Sequence, residues 1–202
     1  MAIENKPLGQ LCSIITGAPI SRVKKIREND TPSQVQVLVP GAMRNGEVIK
    51  SELAIESVAN VKDDFFTHEG DVIVKASTPY GCVYIDEAHS GLLTTSYSLI
   101  LRPQNNQIID MRYLSLFLNS PLSLRELERM SSGMTIQLIK KKDLAEMPIP
   151  IPSLNEQKRL GALHRQSQNI KKICQSVEEK SNFLIEGELA RALSDASFIG
   201  RN

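Results

Sequence analysis

Three charged side chains beside one predicted strand suggest metal-dependent chemistry. The β-branched run Val72–Val74 is typical of a buried strand, and Asp71 and Lys75 flank it four residues apart. This even spacing places both side chains on one face of an extended strand, where Glu69 could join them. Two carboxylates and a lysine at a strand end are the groups that a metal-dependent nuclease uses. We keep this as a minor alternative, in which Asp71→Ala abolishes cleavage by the isolated chain.

Other signatures of catalysis are missing from the sequence. It has no GxxxxGK(S/T) or GxGxxG motif, and its Asn119-Ser120-Pro121-Leu122 lacks the second proline and the aromatic residue of an amino-methyltransferase motif. The histidines and cysteines are too far apart for a metal site or a disulfide framework: His68, His89, His164, Cys12, Cys82 and Cys174. We therefore predict a chain that is not an enzyme and binds no cofactor.

The composition is that of an ordinary globular protein. Hydrophobic residues make up 41% of the 202 residues, and 24 basic side chains nearly balance 23 acidic ones. A net charge of +1 gives little support to a nucleic-acid partner, so the positions of the cations matter more than their number. Without a long apolar stretch or a signal-peptide pattern, the sequence predicts a cytoplasmic protein with reduced thiols and no membrane segment.

The first hundred residues predict mostly strands. A helical turn and a strand are expected at 8–16, another strand at 34–39, and a tight turn at Asn45–Gly46. The segment Lys75–Gly81 is then a polar loop held between two strands. A further strand within Leu92–Leu101 would carry the hydroxyl groups of residues 94–97.

Helices are expected after that point. Asp110 is suited to cap a helix over Met111–Leu118, and Ser120 with Pro121 to begin the next. The alternating prolines of Met147–Pro152 exclude a helix and predict an extended strap.

A single long helix is expected from Ser153, which forms a capping box with Glu156. No proline follows as far as Ser194, so the helix has about 40 residues and a length of ~60 Å. Apolar positions recur at alternating three- and four-residue steps, which is a heptad seam that needs a partner helix. Two of the positions are serines, Ser167 and Ser181, and we call the others the seam: Leu160, Leu163, Ile170, Cys174, Val177 and Leu184. Folding back onto the first domain is the alternative. The sequence predicts two domains, 1–152 and 153–202.

A series of short motifs spans nearly the whole chain in a fixed order. They are Leu8-Gly9-Gln10-Leu11 with Ile15-Thr16-Gly17, Glu69-Gly70-Asp71-Val72-Ile73, Leu101-Arg102-Pro103, Tyr113-Leu114 with Phe117-Leu118-Asn119-Ser120, Ser131-Ser132-Gly133 with Lys141-Lys142-Asp143-Leu144, and Met147–Pro152 with Asn155-Glu156-Gln157-Lys158-Arg159-Leu160. The series resembles the specificity subunits of type I restriction–modification systems. The resemblance implies an α+β fold, in which a globular β-rich target-recognition domain precedes a long α-helix that forms an antiparallel coiled coil. The usual subunit has two such domains, so this sequence resembles a half-sized subunit or a fragment.

The resemblance implies that loops of the recognition domain meet the major groove of double-stranded DNA. Side-chain chemistry ranks these loops, because cationic, amide and hydroxyl groups bind base edges and phosphates. The expected DNA contacts, in order, are Lys75, Ser77, Thr78 and Tyr80; then Arg22, Lys24, Lys25 and Arg27; then Thr135, Gln137 and Lys140. Each is also compatible with a solvated loop. Arg44 ranks below them, since the Asn45–Gly46 turn explains its surroundings.

The resemblance also implies the partners. A DNA methyltransferase (modification) subunit would flip and methylate adenine, and any cleavage would belong to a restriction subunit. A half-sized chain would form a homodimer through its long helix and read an inverted repeat. The remaining alternative is a coiled-coil protein–protein adaptor that does not bind DNA. Salt-dependent DNA binding would exclude that adaptor.

Overall fold

The computed structural model describes residues 3–26, 30–104, 108–131 and 138–199, with side chains to residue 194. The described strands are β1 Glu4–Pro7, β2 Cys12–Thr16, β3 Ser33–Leu38, β4 Met43–Arg44, β5 Glu47–Val48, β6 Ala54–Val58, β7 Val72–Lys75, β8 Cys82–Tyr84, β9 Leu93–Thr94, β10 Ser98–Pro103 and β11 Pro148–Ile151. The described helices are α1 Ile20–Val23, α2 Met111–Leu118, α3 Pro121–Ser131, α4 Lys141–Glu146 and α5 Leu154–Ile199. The predicted α+β class, with a β-rich first part and a long final helix, is confirmed.

A four-stranded antiparallel sheet in the order β2-β10-β7-β8 is central to the first part of the chain. Ile100 of β10 pairs with Ile15 of β2 and with Ile73 of β7. Strand β7 is buried along its whole length, as its β-branched residues predict. Because side chains alternate between the faces, Val72 and Val74 pack in one hydrophobic core and Ile73 in another.

Helices α2 and α3 cover the first of these cores. Leu114 and Leu118 of α2 and Leu127 of α3 are fully buried there. The Asp110 side chain caps α2 by accepting hydrogen bonds from the backbone N–H groups of Arg112 and Tyr113, at 2.9 and 3.0 Å. The predicted start of α2 is therefore confirmed, and α3 begins at Pro121 as expected.

The second core lies between the four-stranded sheet and a smaller β layer. That layer contains a three-stranded sheet in the order β6-β3-β9, with β3 and β9 parallel, and the hairpin of β4 and β5. Asn45 and Gly46 connect the hairpin with φ angles of 53° and 79°, the left-handed conformation that a tight two-residue turn requires. The Asn45–Gly46 turn prediction is confirmed.

The proline strap is extended, as predicted. It forms β11 and pairs antiparallel with β1, so that Ile149 is opposite Lys6. The Tyr113 hydroxyl of α2 donates a hydrogen bond to the Pro150 carbonyl oxygen at 2.8 Å. The N-terminal strand and the strap are thereby held together beside the helices.

One local expectation was incomplete. Leu92–Leu101 forms two strands, because the chain turns at residues 95–97 between β9 and β10. The hydroxyl groups of residues 94–97 therefore do not follow a single strand. Helix α4, which the sequence patterns did not predict, begins with Lys141 and Lys142.

Helix α5 is continuous from Leu154 to Ile199, and the Ser153 hydroxyl accepts a hydrogen bond from the Glu156 backbone N–H at 3.3 Å. The chain forms two compact units, Met1–Gly161 and Ala162–Asn202, so the first two turns of α5 belong to the first unit. The functional division at residues 152 and 153 stays a prediction. No described helix combines the length and the apolar character needed to cross a membrane.

Candidate functional site

The register of the four-stranded sheet brings several loops to one end of the molecule's first unit. At this end β2 finishes with Thr16, opposite Leu99, and β10 begins with Ser98, opposite Lys75. The start of β8 lies beside the end of β7, since Cys82 pairs with Val74. We call this edge the loop end. It carries residues 17–26 after β2, 76–81 between β7 and β8, and 95–97 before β10.

Backbone hydrogen bonds connect these loops. The Ala76 N–H donates to the Tyr97 carbonyl oxygen at 2.9 Å, which joins the β7–β8 loop to the turn before β10. The Ile139 N–H donates to the Ala76 carbonyl oxygen at 2.8 Å, which brings the segment 138–140 to the same place. Three stretches that are distant in sequence thus form one surface.

The segment after β2 approaches the same turn closely. The Ala18 N–H donates to the Thr94 carbonyl oxygen at 2.7 Å, and the Ser96 N–H donates to the Ala18 carbonyl oxygen at 2.8 Å. A Cβ atom on Gly17 would overlap the carbonyl oxygen of Thr95, so glycine is required for this approach. The close contact positions α1, which contains Arg22 and is followed directly by Lys24 and Lys25.

The predicted DNA contacts are distributed over this surface. Thr78 is exposed, Ser77 is partly exposed, and Tyr80 packs partly against the first core. Arg22, Lys25 and Lys140 are exposed, whereas Lys24 forms an ion pair with Glu56 at 2.6 Å. The predicted contacts Arg27, Thr135 and Gln137 lie outside the described residues.

Lys75 is the least exposed of the predicted contacts that the structure describes. Only 8% of its surface is exposed, and within the described part of the chain its ammonium group has no hydrogen-bond or ion-pair partner. Burial lowers the pKa of Lys75, and the nearby charge of Arg44 lowers it further. Arg44, which the sequence ranked lower because of its turn, therefore acts electrostatically at this site.

Three buried hydroxyl groups lie at the loop end, and sequence patterns assign them no specific role. The side-chain oxygens of Thr94, Thr95 and Ser98 have no hydrogen-bond partner among the described residues. Their residues are 0%, 5% and 0% exposed, respectively. Buried hydroxyls are normally paired, so this group is an unusual feature of the site.

The carboxylate proposed for a nuclease has a structural partner. Asp71 is fully buried, and both of its carboxylate oxygens accept hydrogen bonds from Arg102, at 3.1 and 2.9 Å. One of these oxygens also accepts from the His68 N–H at 2.8 Å. No group of three or more metal-binding side chains occurs in the described ranges. The Asp71 carboxylate is therefore engaged within the fold, which argues against its use as a metal ligand in a nuclease site.

The start of α5 is held by Gln157, which is 1% exposed. Its side-chain oxygen accepts a hydrogen bond from the Asp110 N–H at 2.8 Å, and its nitrogen donates to the carbonyl oxygens of Ile108 and Pro152 at 3.1 and 2.9 Å. Leu160, the first seam residue, packs partly against the first core. The beginning of the helix is thus part of the globular unit.

The later seam residues are exposed. The exposed fractions of Leu163, Ile170, Val177 and Leu184 lie between 49% and 67%, and Cys174 is also exposed. Such a row of apolar side chains on a long helix is typical of a surface that pairs with another helix.

Comparisons with known proteins agree on the family. The family model "Type I restriction modification DNA specificity domain" matches residues 2–179. A search of curated protein sequences gave no significant match. A structure described as "Structural basis underlying complex assembly and conformational transition of the type I R-M system" has a TM-score of 0.60 and 16% identity, covering 94% of this chain and 49% of that one.

Two further solved structures have the same fold. The HsdS subunit from Thermoanaerobacter tengcongensis has a TM-score of 0.54 and 20% identity, covering 83% of this chain and 37% of that one. The type I restriction–modification S subunit from M. genitalium has a TM-score of 0.51 and 20% identity, covering 81% and 38%. This chain therefore spans half or less of the length of each of these three structures. With the family model matching most of its residues, the chain belongs to the type I restriction–modification DNA specificity domain family.

Proposed function

We propose that the loop end reads one half of a bipartite DNA sequence in the major groove. The observation that carries this proposal is the convergence of four separate segments on one edge of the sheet, described above. These segments supply exposed cations at Arg22, Lys25 and Lys140 and polar side chains at Ser77 and Thr78. Cations bind phosphates and fix the position of the protein, while hydroxyl and aromatic groups can contact base edges.

The catalytic step is assigned to a partner. A structure similar to this chain is described as an assembly of a type I R-M system, which supports association with a DNA methyltransferase subunit. That subunit would flip and methylate adenine, and a restriction subunit would perform any cleavage. In this proposal the chain itself is non-catalytic, needs no cofactor and acts in the cytoplasm, where the DNA is.

We further propose that residues 153–202 serve association. The exposed seam of α5 would pair antiparallel with the α5 helix of a second copy, because a lone helix cannot bury these side chains itself. A two-fold homodimer presents two identical loop ends, so its target would be an inverted repeat with a fixed spacer.

Co-expression with the cognate methyltransferase subunit, followed by genome-wide mapping of methylated adenines, tests the reading function. The proposal predicts methylation at a bipartite inverted repeat, and none when the specificity chain is omitted. An asymmetric target would contradict the homodimer, whereas no methylation with both subunits present would contradict the reading function. Salt-independent or absent DNA binding by the assembled complex would favour the adaptor alternative.

The double variant Ile170→Asp/Val177→Asp tests the dimer. Charges placed in the seam should convert the dimer to monomer in sedimentation experiments, because burial of an unpaired carboxylate is unfavourable. Phe183→Asp is the matched control, since Phe183 is 75% exposed but lies one residue before the seam position Leu184 and on another face. Equal effects of the seam and control variants would contradict pairing through the seam.

A further inference from the structure

Two of the buried polar groups at the loop end lie on the same face of the four-stranded sheet. Lys75 and Ser98 are directly opposite each other on β7 and β10, so their side chains lie on the same face of the sheet. Each is two residues from a member of the second core, Ile73 and Ile100 respectively, and therefore lies on the face that carries this core. The ammonium and the Ser98 hydroxyl thus border the second core where it reaches the loop end.

The hydroxyl of Thr94 borders the same core from the opposite layer. Thr94 of β9 pairs in parallel with Leu38 of β3, and Leu38 is a fully buried member of the second core. The next residue, Thr95, bridges to Ala18 of the third core, so its side chain lies on the other face of β9. One ammonium and two hydroxyl groups, those of Thr94 and Ser98, therefore border the second core where it reaches the loop end.

The charge at this place is positive and unbalanced. Lys75 has no ion-pair partner among the described residues, and the charge that acts on it is another cation, Arg44. Arg44 is itself paired with Glu52 at 2.7 Å, but its side chain remains 60% exposed. A buried ammonium without a counter-ion is costly, so a negatively charged group is the natural complement.

We propose that Lys75, Thr94 and Ser98 form a site for one phosphate group of the DNA backbone. This inference rests on the proposed function and specifies one contact within it. The guanine edge offers only two acceptors to a lysine in the major groove, O6 and N7. A backbone phosphodiester carries a full negative charge on two oxygens, each of which can accept more than one hydrogen bond, so it fits one ammonium and two hydroxyl donors better. Since the hydroxyls are buried, the chain around them must shift when the phosphate enters.

The first test compares stability with DNA binding in Thr94→Val. An unpaired buried hydroxyl is unfavourable in the free protein, so its replacement by a methyl group should raise Tm by about 2–4 °C. The same variant should bind DNA less tightly, because the phosphate loses a donor. A hydroxyl with only a structural role would give the opposite result, a lower Tm with unchanged affinity, and that result would overturn the proposal.

The second test measures salt dependence in Lys75→Met. The probe is the methyltransferase complex bound to a duplex carrying the sequence found by methylation mapping. Loss of one phosphate contact should reduce the slope of log K against log salt concentration by about 0.9, and affinity should fall roughly tenfold. Lys62→Met is the matched control, because Lys62 is exposed and immediately precedes Asp63 and Asp64, near Arg102 at the other end of the sheet.

The phosphate is identified by neutral methylphosphonate substitution along the same duplex. At one position the substitution should weaken binding of the unmodified protein and have no further effect on Lys75→Met. An unchanged salt slope in Lys75→Met, or coupling to a base change instead of a phosphate, would overturn the inference. Both failures leave binding by the unmodified complex intact, whereas a failure of the proposed function would abolish that binding.

Discussion

The two units of the chain differ in whether their apolar side chains are buried or exposed. The unit Met1–Gly161 encloses buried hydrophobic cores on both faces of its central sheet. In the second unit, none of the described side chains from Ala162 to Ser194 is buried. The first unit thus contains the packing that stabilises a fold, while the helix of the second exposes apolar side chains that only another molecule or segment can cover.

The ion pairs of the two units also differ in how far they are buried. Asp71 and Arg102 join two distant parts of the first unit, with Asp71 fully buried and the Arg102 side chain 18% exposed. Glu188 and Arg191 are neighbours on one helix, and about 70% of each side chain is exposed. Water screens the attraction between Glu188 and Arg191 much more than the attraction between Asp71 and Arg102. The two ion pairs are therefore expected to contribute differently to the free energy of unfolding.

The largest expected effect is that of Arg102→Met. Removal of the guanidinium leaves a buried carboxylate without its partner, which should lower the free energy of unfolding by about 3–5 kcal/mol. The hydrogen bond from Arg102 to the Phe66 carbonyl oxygen would also be lost. Urea denaturation followed by circular dichroism measures the change.

Arg191→Met is the control for this prediction. Its ion pair with Glu188 is exposed, so the free energy of unfolding should change by less than about 0.5 kcal/mol. A similar loss in both variants would show that burial does not separate the two pairs.

A smaller effect is expected at the start of α5, where Gln157 can be compared with Gln175. Gln157→Ala leaves the Asp110 N–H and two carbonyl groups without partners, and should lower the free energy of unfolding by about 2–3 kcal/mol. Gln175 is exposed on the same helix, so Gln175→Ala should change it by less than about 0.5 kcal/mol. Equal stability of the two variants would mean that the start of the helix is not held by these hydrogen bonds.

The sequence was sufficient to predict local structure wherever neighbouring residues determine it. Asp110 caps α2 through N–H groups two and three residues away, and the Asn45–Gly46 turn needs only its own backbone angles. The strap follows from the fixed φ of its prolines, and the absence of proline after Ser153 allows the long helix. These local rules, together with a series of family motifs, predicted the α+β class and the order of its parts, with the β-rich part first and the long helix last.

The parts that were missed depend on residues far apart in the chain. Asp71 and Arg102 are 31 positions apart, and nothing in either segment indicates that they pair. The roles of Arg44 and of the Thr94 and Ser98 hydroxyls depend on sheet register, which brings separate strands together. Lys75 could be selected by its position at the end of a strand, but its burial could not. Composition and spacing carry no information about such long-range contacts.

Each unit has its own cysteines, and their reactivity is expected to differ in a way that can be measured on the unsubstituted protein. Burial raises the pKa of Cys12 and of Cys82 to about 12, so at pH 8 only about 10⁻⁴ of each is thiolate. Cys174 is exposed on the seam. One thiol in three should therefore react rapidly with a disulfide reagent, with Cys174→Ser as the control that removes it. If a second copy covers the seam, this rapid reaction should slow as protein concentration rises. Three equally reactive thiols would contradict the burial of the first unit, and a rate independent of concentration would argue against pairing through the seam.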